Sequence, residues 1–105
     1  MKTIEEWYDT LVELMKNTDF DVIIKTNINK PVVAIVPRGF STPQRIAVYP
    51  KKTKKAGLVV EKDISMMPAI QEKIGEGREH NRRPHYYDIS DQTILEVCKI
   101  FLGKL

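Results

Sequence analysis

The chain has 105 residues, of which 42% are hydrophobic and 30% charged, and it carries a net charge of +3. That length fits one domain with one core, and the ordinary globular composition excludes collagen-like, low-complexity and disordered classes. A single cysteine, Cys98, excludes an intramolecular disulfide, and no apolar run approaches the roughly 20 residues needed to span a bilayer.

Residues 3–17 predict a helix. Ile4, Tyr8, Leu11 and Met15 recur at helical spacing, with Trp7, Val12 and Leu14 widening the stripe. Thr3 followed by Glu6 makes a capping box, and Asn17-Thr18-Asp19 ends the helix. The same acidic opening lacks the apolar core of a signal peptide, so the cytoplasm is the expected compartment.

Four runs rich in β-branched residues follow: 21–26, 32–36, 45–49 and 57–61. Pro31 suits the first residue of a strand, and Gly39 with Pro43 marks 38–44 as a loop. Short connections favour antiparallel neighbours, hence a meander. Ser65 is placed to cap a short helix over 66–74, with Pro68 in its first turn and Gly75 as its left-handed stop. Residues 76–83 read as a charged loop and 84–88 as a fifth strand at the sheet edge. A last helix is predicted over 91–102, with Ser90 as N-cap, Ile89 and Ile94 as a hydrophobic staple, and Ile94, Cys98, Phe101 and Leu105 along one stripe. The fold class is α+β: a four- to five-stranded antiparallel meander with N- and C-terminal helices, plus a short middle helix, packed on one face.

Charge is unevenly spread along this order. Residues 38–85 hold eleven Lys or Arg against five acids, whereas both flanks are net acidic. Lys51, Lys52, Lys54 and Lys55 crowd one turn. If the meander is regular, Lys30 shares that end, and the helix over 66–74 climbs back to it and delivers Arg78, Arg82 and Arg83 beside the lysines. His80, Asn81, His85, Tyr86 and Tyr87 then lie near. Such a pole suits a phosphate backbone, with Tyr86 or Tyr87 stacking on unpaired bases. A lysine-rich hairpin tip also serves solubility and guards against edge pairing.

Other chemistry is thinner. His80 and His85, with Glu79 and Asp88, are the residues closest to a metal set, but adjacent arginines repel a cation. Cys98, mid-stripe, reads as a core thiol. Gly75-Glu76-Gly77 follows a helix where a phosphate loop should precede one. Glu61, Asp63 and Asp21 lack the Glu-x-Lys spacing of metal-dependent nucleases. Trp7, Tyr8, Met66 and Met67 read as core or interface groups, and the broad apolar faces of both terminal helices invite self-association.

Three readings follow. The first is a non-enzymatic binding module, without cofactor, whose basic pole contacts nucleic acid or another polyanion. The second is a protein-interaction or homo-oligomeric accessory domain. The third is a small metal-dependent enzyme such as a nuclease.

Overall fold

Thr3 opens the first helix, α1 (Ile4–Met15), by the reciprocal pair expected of it: its hydroxyl accepts from Glu6 N–H, and the Glu6 carboxylate accepts from Thr3 N–H. Donation to its carboxylate from the Thr3 backbone N–H and then from the Thr3 hydroxyl, with the Lys2 charge beside it, holds the Glu6 carboxyl below its usual range. Trp7, Leu11 and Met15 form the buried stripe, and Asn17, left-handed at φ 64°, turns the chain out of the helix. The computed structural model describes residues 2–25, 31–38, 46–50, 55–61, 66–80 and 82–103.

The strands are β1 (Phe20–Lys25), β2 (Val32–Pro37), β3 (Ile46–Tyr49), β4 (Ala56–Val60), β5 (Arg78–His80) and β6 (Arg83–Ile89). They form one antiparallel six-stranded sheet in the order β1-β2-β3-β4-β6-β5. The first four make the expected meander. Beyond them the architecture departs from expectation twice. Residues 76–83 contain a strand, β5, rather than a loop throughout, and β5 is the edge. The strand expected at the edge, β6, lies inside, between β4 and β5.

The other helices are α2 (Met67–Ile74) and α3 (Asp91–Phe101). Ser65, the expected cap of α2, lies outside the described residues; the N-cap position is Met66, without a side-chain bond, and Pro68 occupies the first turn. Ser90 caps α3, its hydroxyl accepting from Thr93 N–H at 3.2 Å. Lys73 and Glu96 link the two helices at 2.5 Å.

Alternation along the strands divides the sheet into two faces. Val33, Ile35, Ile46, Val48, Leu58, Val60 and Tyr86 meet the buried residues of all three helices in the main core, as a one-faced helical layer requires. The second face holds a smaller cluster of Ala34, Val36 and Ala47, flanked by Ile23, Val32 and Val59. The Cα radius of gyration is 12.4 Å, that of a compact chain of this length. No helix among the described residues is long and apolar enough to cross a membrane.

Candidate nucleic-acid interface

The second face carries most of the polar chemistry. Tyr49 at the end of β3, His85 and Tyr87 on β6, and Arg78 and His80 on β5 point away from the helices by register. Four rings run across three strands. His80 and His85 meet edge-on with centroids 5.2 Å apart. His85 and Tyr87 are nearly parallel at 6.4 Å, and Tyr87 meets Tyr49 edge-on at 6.4 Å. All three separations fall within the range of favourable aromatic pairs.

Two backbone features place the rings of Tyr49 and Tyr87. Gly57 stands opposite Tyr49, so the ring lies across β4 and its hydroxyl donates to the Tyr86 carbonyl on β6 at 3.3 Å. Burial, then the neighbouring Tyr87 and Asp88, pushes the Tyr49 hydroxyl up to about 12, so it remains a donor at neutral pH. The second feature is a β-bulge. Ala56 pairs with Ile89 but Leu58 pairs with Tyr86, so β6 spends one extra residue there. Asp88, at φ 55°, takes the bend. The bulge restores Ile89 to the helix side and leaves Tyr87 projecting, 43% exposed.

The cations are spread over this face rather than gathered at a pole. Lys55 is exposed just before β4, at the end where Ala56 pairs with Ile89. Arg83 sits at the other end, its guanidinium 2.7 Å from the Glu61 carboxylate just past β4. Six residues of strand separate Lys55 from Glu61, roughly 20 Å. The expected meeting of Lys55 with Arg82 and Arg83 therefore does not occur. The cause is β5: α2 does climb back, bringing the Gly75 carbonyl to the Tyr86 hydroxyl at 2.9 Å. The chain then turns and runs down beside β6, carrying Arg82 and Arg83 to the far end. Arg78 stays at the middle level, opposite His85, and both Arg78 and Arg82 are exposed. Lys30, Lys51, Lys52, Lys54 and Asn81 lie outside the described residues.

The two adjacent tyrosines separate by function. Tyr87 is on the second face, whereas Tyr86 is 4% exposed in the main core. Tyr86 ties β6 to the end of α2 and has no surface to offer a base.

The remaining chemistry is dispersed. Glu79 faces the helix side of β5, lining a cleft of about 310 Å³ with Met67, Gln71, Glu76, Gly77 and Pro84. It is thus turned away from the two imidazoles, and no cluster of three or more metal-ligating side chains forms among the described residues. The cleft is acid-rimmed and holds no nucleophile–base pair. Glu61 adjoins Arg83, while Asp21 lies on β1 beside Arg38 at 3.7 Å, three strands away from β4. Three inter-strand spacings, about 14 Å, are too many for the two carboxylates to share one ion. Asp63 lies outside the described residues. Cys98 is buried in the main core, as its stripe implied.

Sequence reasoning missed Tyr49 and the ring row. Two signals point to them in retrospect: the period-two spacing of His85 and Tyr87, and a glycine inside a strand, which marks a close approach. Comparison with protein-family models, with curated proteins and with solved structures gives no match.

Proposed function

We propose that the chain is a non-enzymatic module that binds single-stranded nucleic acid across the second face of its sheet. The observation that carries this reading is the exposed Tyr87 with His85 and His80 beside it, backed by the buried Tyr49 and flanked by Lys55 at one end, Arg78 along the edge and Arg82 at the other end. Unpaired bases stack on aromatic side chains without regard to sequence, while the cations follow the phosphates. A duplex hides its base faces, so this geometry favours single strands over double. Arg83 contributes less charge than its neighbours because Glu61 already neutralises it. The lone, buried cysteine suits the reducing cytoplasm, where we place the protein.

The test is fluorescence anisotropy with labelled single- and double-stranded oligonucleotides over a salt series. Wild type should bind single strands with affinity on the order of micromolar and a steep salt slope. Tyr87→Ala should weaken binding about 5- to 150-fold, the range of one lost stacking partner. Arg78→Gln and Arg82→Gln should each lower the salt slope by about one. Changing Lys51, Lys52, Lys54 and Lys55 together to Glu tests the lysine turn. Absence of binding at low salt, or binding indifferent to Tyr87→Ala, would sink the reading. A preference for duplex would replace base stacking with a purely electrostatic contact.

A further inference from the structure

The opposite edge of the sheet has a different character. Among the described residues β1 pairs with β2 on one side only, and Asp19 C=O accepts from Arg38 N–H at 2.8 Å just beyond it. That bond fixes the phase of the ladder: the odd-numbered residues of β1 face β2, and the N–H and C=O groups of Phe20, Val22 and Ile24 point outward. Pro37 opposite Phe20 agrees, because a residue without N–H sits at a non-bonded position of this pair. One of the three exposed large apolar side chains among the described residues lies on this edge: Ile24 of β1, 40% exposed.

We infer that β1 is a self-association edge, and that two copies of the chain pair their β1 strands antiparallel about a two-fold axis at Ile23. This inference is independent of the nucleic-acid reading. Its argument is self-complementarity. A two-fold antiparallel pair must centre on a residue, and only the register centred on Ile23 sets Asp21 of each copy against Lys25 of the other. Both residues lie on the second face of the sheet, and in that register they form a non-bonded pair, where side chains approach most closely. The same register places Val22 against Ile24 twice at bonded positions, giving four backbone hydrogen bonds and covering Ile24. Ile23 meets its own copy on the second face. Arg38 already lies 3.7 Å from Asp21, but both side chains are largely exposed, so that contact is weak and leaves the carboxylate able to accept a second cation. Joining the sheets this way leaves β5 of each copy as the outer edges. The two ring rows, on β3, β6 and β5, stay uncovered on the same face.

The test combines sedimentation equilibrium, from low-micromolar to millimolar protein, with residue-resolved amide exchange. A monomer–dimer equilibrium is expected, with the Val22 and Ile24 amides gaining protection as concentration rises while Ile23, bonded to β2, is protected throughout. Lys25→Glu should weaken dimerisation roughly tenfold or more, by turning two attractions into repulsions. Asp21→Lys together with Lys25→Glu should restore most of it. Val22→Pro should abolish the dimer, since proline at an outward-facing position removes a donor the dimer needs and none that β2 uses. Circular dichroism on each variant separates a lost dimer from a lost fold. A monomer at every concentration overturns the inference. So does a dimer in which Val22 and Ile24 exchange freely, or one indifferent to the charge swap.

Discussion

Tyr49 occupies the space that a side chain at Gly57 would fill. A Cβ at Gly57 would stand 2.1 Å from Tyr49 Cε2 and Cζ, and 2.5 Å from its hydroxyl oxygen. The ring spans β4 because nothing projects there, and its hydroxyl reaches the Tyr86 carbonyl only from that position. Gly57→Ala should therefore cost about 1–3 kcal/mol, the range for overpacking, although alanine alone is mild in a strand. Adding Tyr49→Ala should remove most of the conflict. Urea denaturation of the four members of that cycle measures the coupling, and simple additivity would contradict the contact.

The elements legible in the sequence are those whose cause is local. Thr3 and Glu6 carry the start of α1 within four residues, Ser90 does the same for α3, and β1 to β4 announce themselves by β-branched runs between turns. β5 has no such signature. Arg78, Glu79 and His80 are all exposed, with no apolar residue among them, and they form a strand only because β6 lies beside them. Missing β5 displaced two arginines to the wrong end of the sheet. The bulge was equally hidden, since Asp88 takes a left-handed conformation that composition assigns first to glycine. Of the site residues named from sequence, Tyr87, Arg78, Arg82 and Lys55 are exposed where a ligand can reach them, while Tyr86 belongs to the core.

Tyr86 offers a second measurement. Its hydroxyl donates to the Gly75 carbonyl at 2.9 Å, and its ring closes over Gly77, where a Cβ would come within 2.8 Å of Cζ. Tyr86→Phe should cost about 1 kcal/mol, one hydrogen bond, with oligonucleotide binding unchanged. Gly77→Ala should cost more, because φ 73° strains any side chain before the ring is met. Thermal unfolding orders the two. A larger loss for Tyr86→Phe than for Gly77→Ala would mean that α2 is held otherwise.

Neighbouring arginines should behave in opposite ways. Arg83 lies 2.7 Å from Glu61, whose side chain is 11% exposed, so Arg83→Ala removes a close cation from a carboxylate with little water around it. A loss of about 1–3 kcal/mol is expected, between the values of exposed and fully buried pairs. Arg82 is exposed, and Arg82→Gln should change stability by no more than about 0.5 kcal/mol while lowering the salt slope of binding. Stability by denaturant and affinity by anisotropy thus sort the two residues in reverse order. Equal effects in both assays would show that Glu61 does not hold Arg83.

The buried thiol contributes to the alkaline limit. Burial pushes Cys98 from an ordinary value of 9.0 up to about 12, so the folded chain keeps its thiol protonated in a range where the unfolded chain ionises. Protons are then bound more tightly in the folded state, and the sign follows: this contribution is whole below pH 9 and is lost as pH rises from there towards 12. The loss is at most about 1.4 kcal/mol per pH unit from this one group. Tyr49, raised from 10.0 to about 12, adds a second fall that begins one unit higher. Cys98→Ala should lower stability at neutral pH by opening a small cavity, yet flatten the slope between pH 9 and pH 10, where unfolded-state tyrosine is still mostly protonated. Denaturation midpoints across that interval decide the matter. An unchanged slope in Cys98→Ala would mean that the thiol reaches solvent, and thiol-specific labelling of the folded protein should then be fast instead of waiting on unfolding.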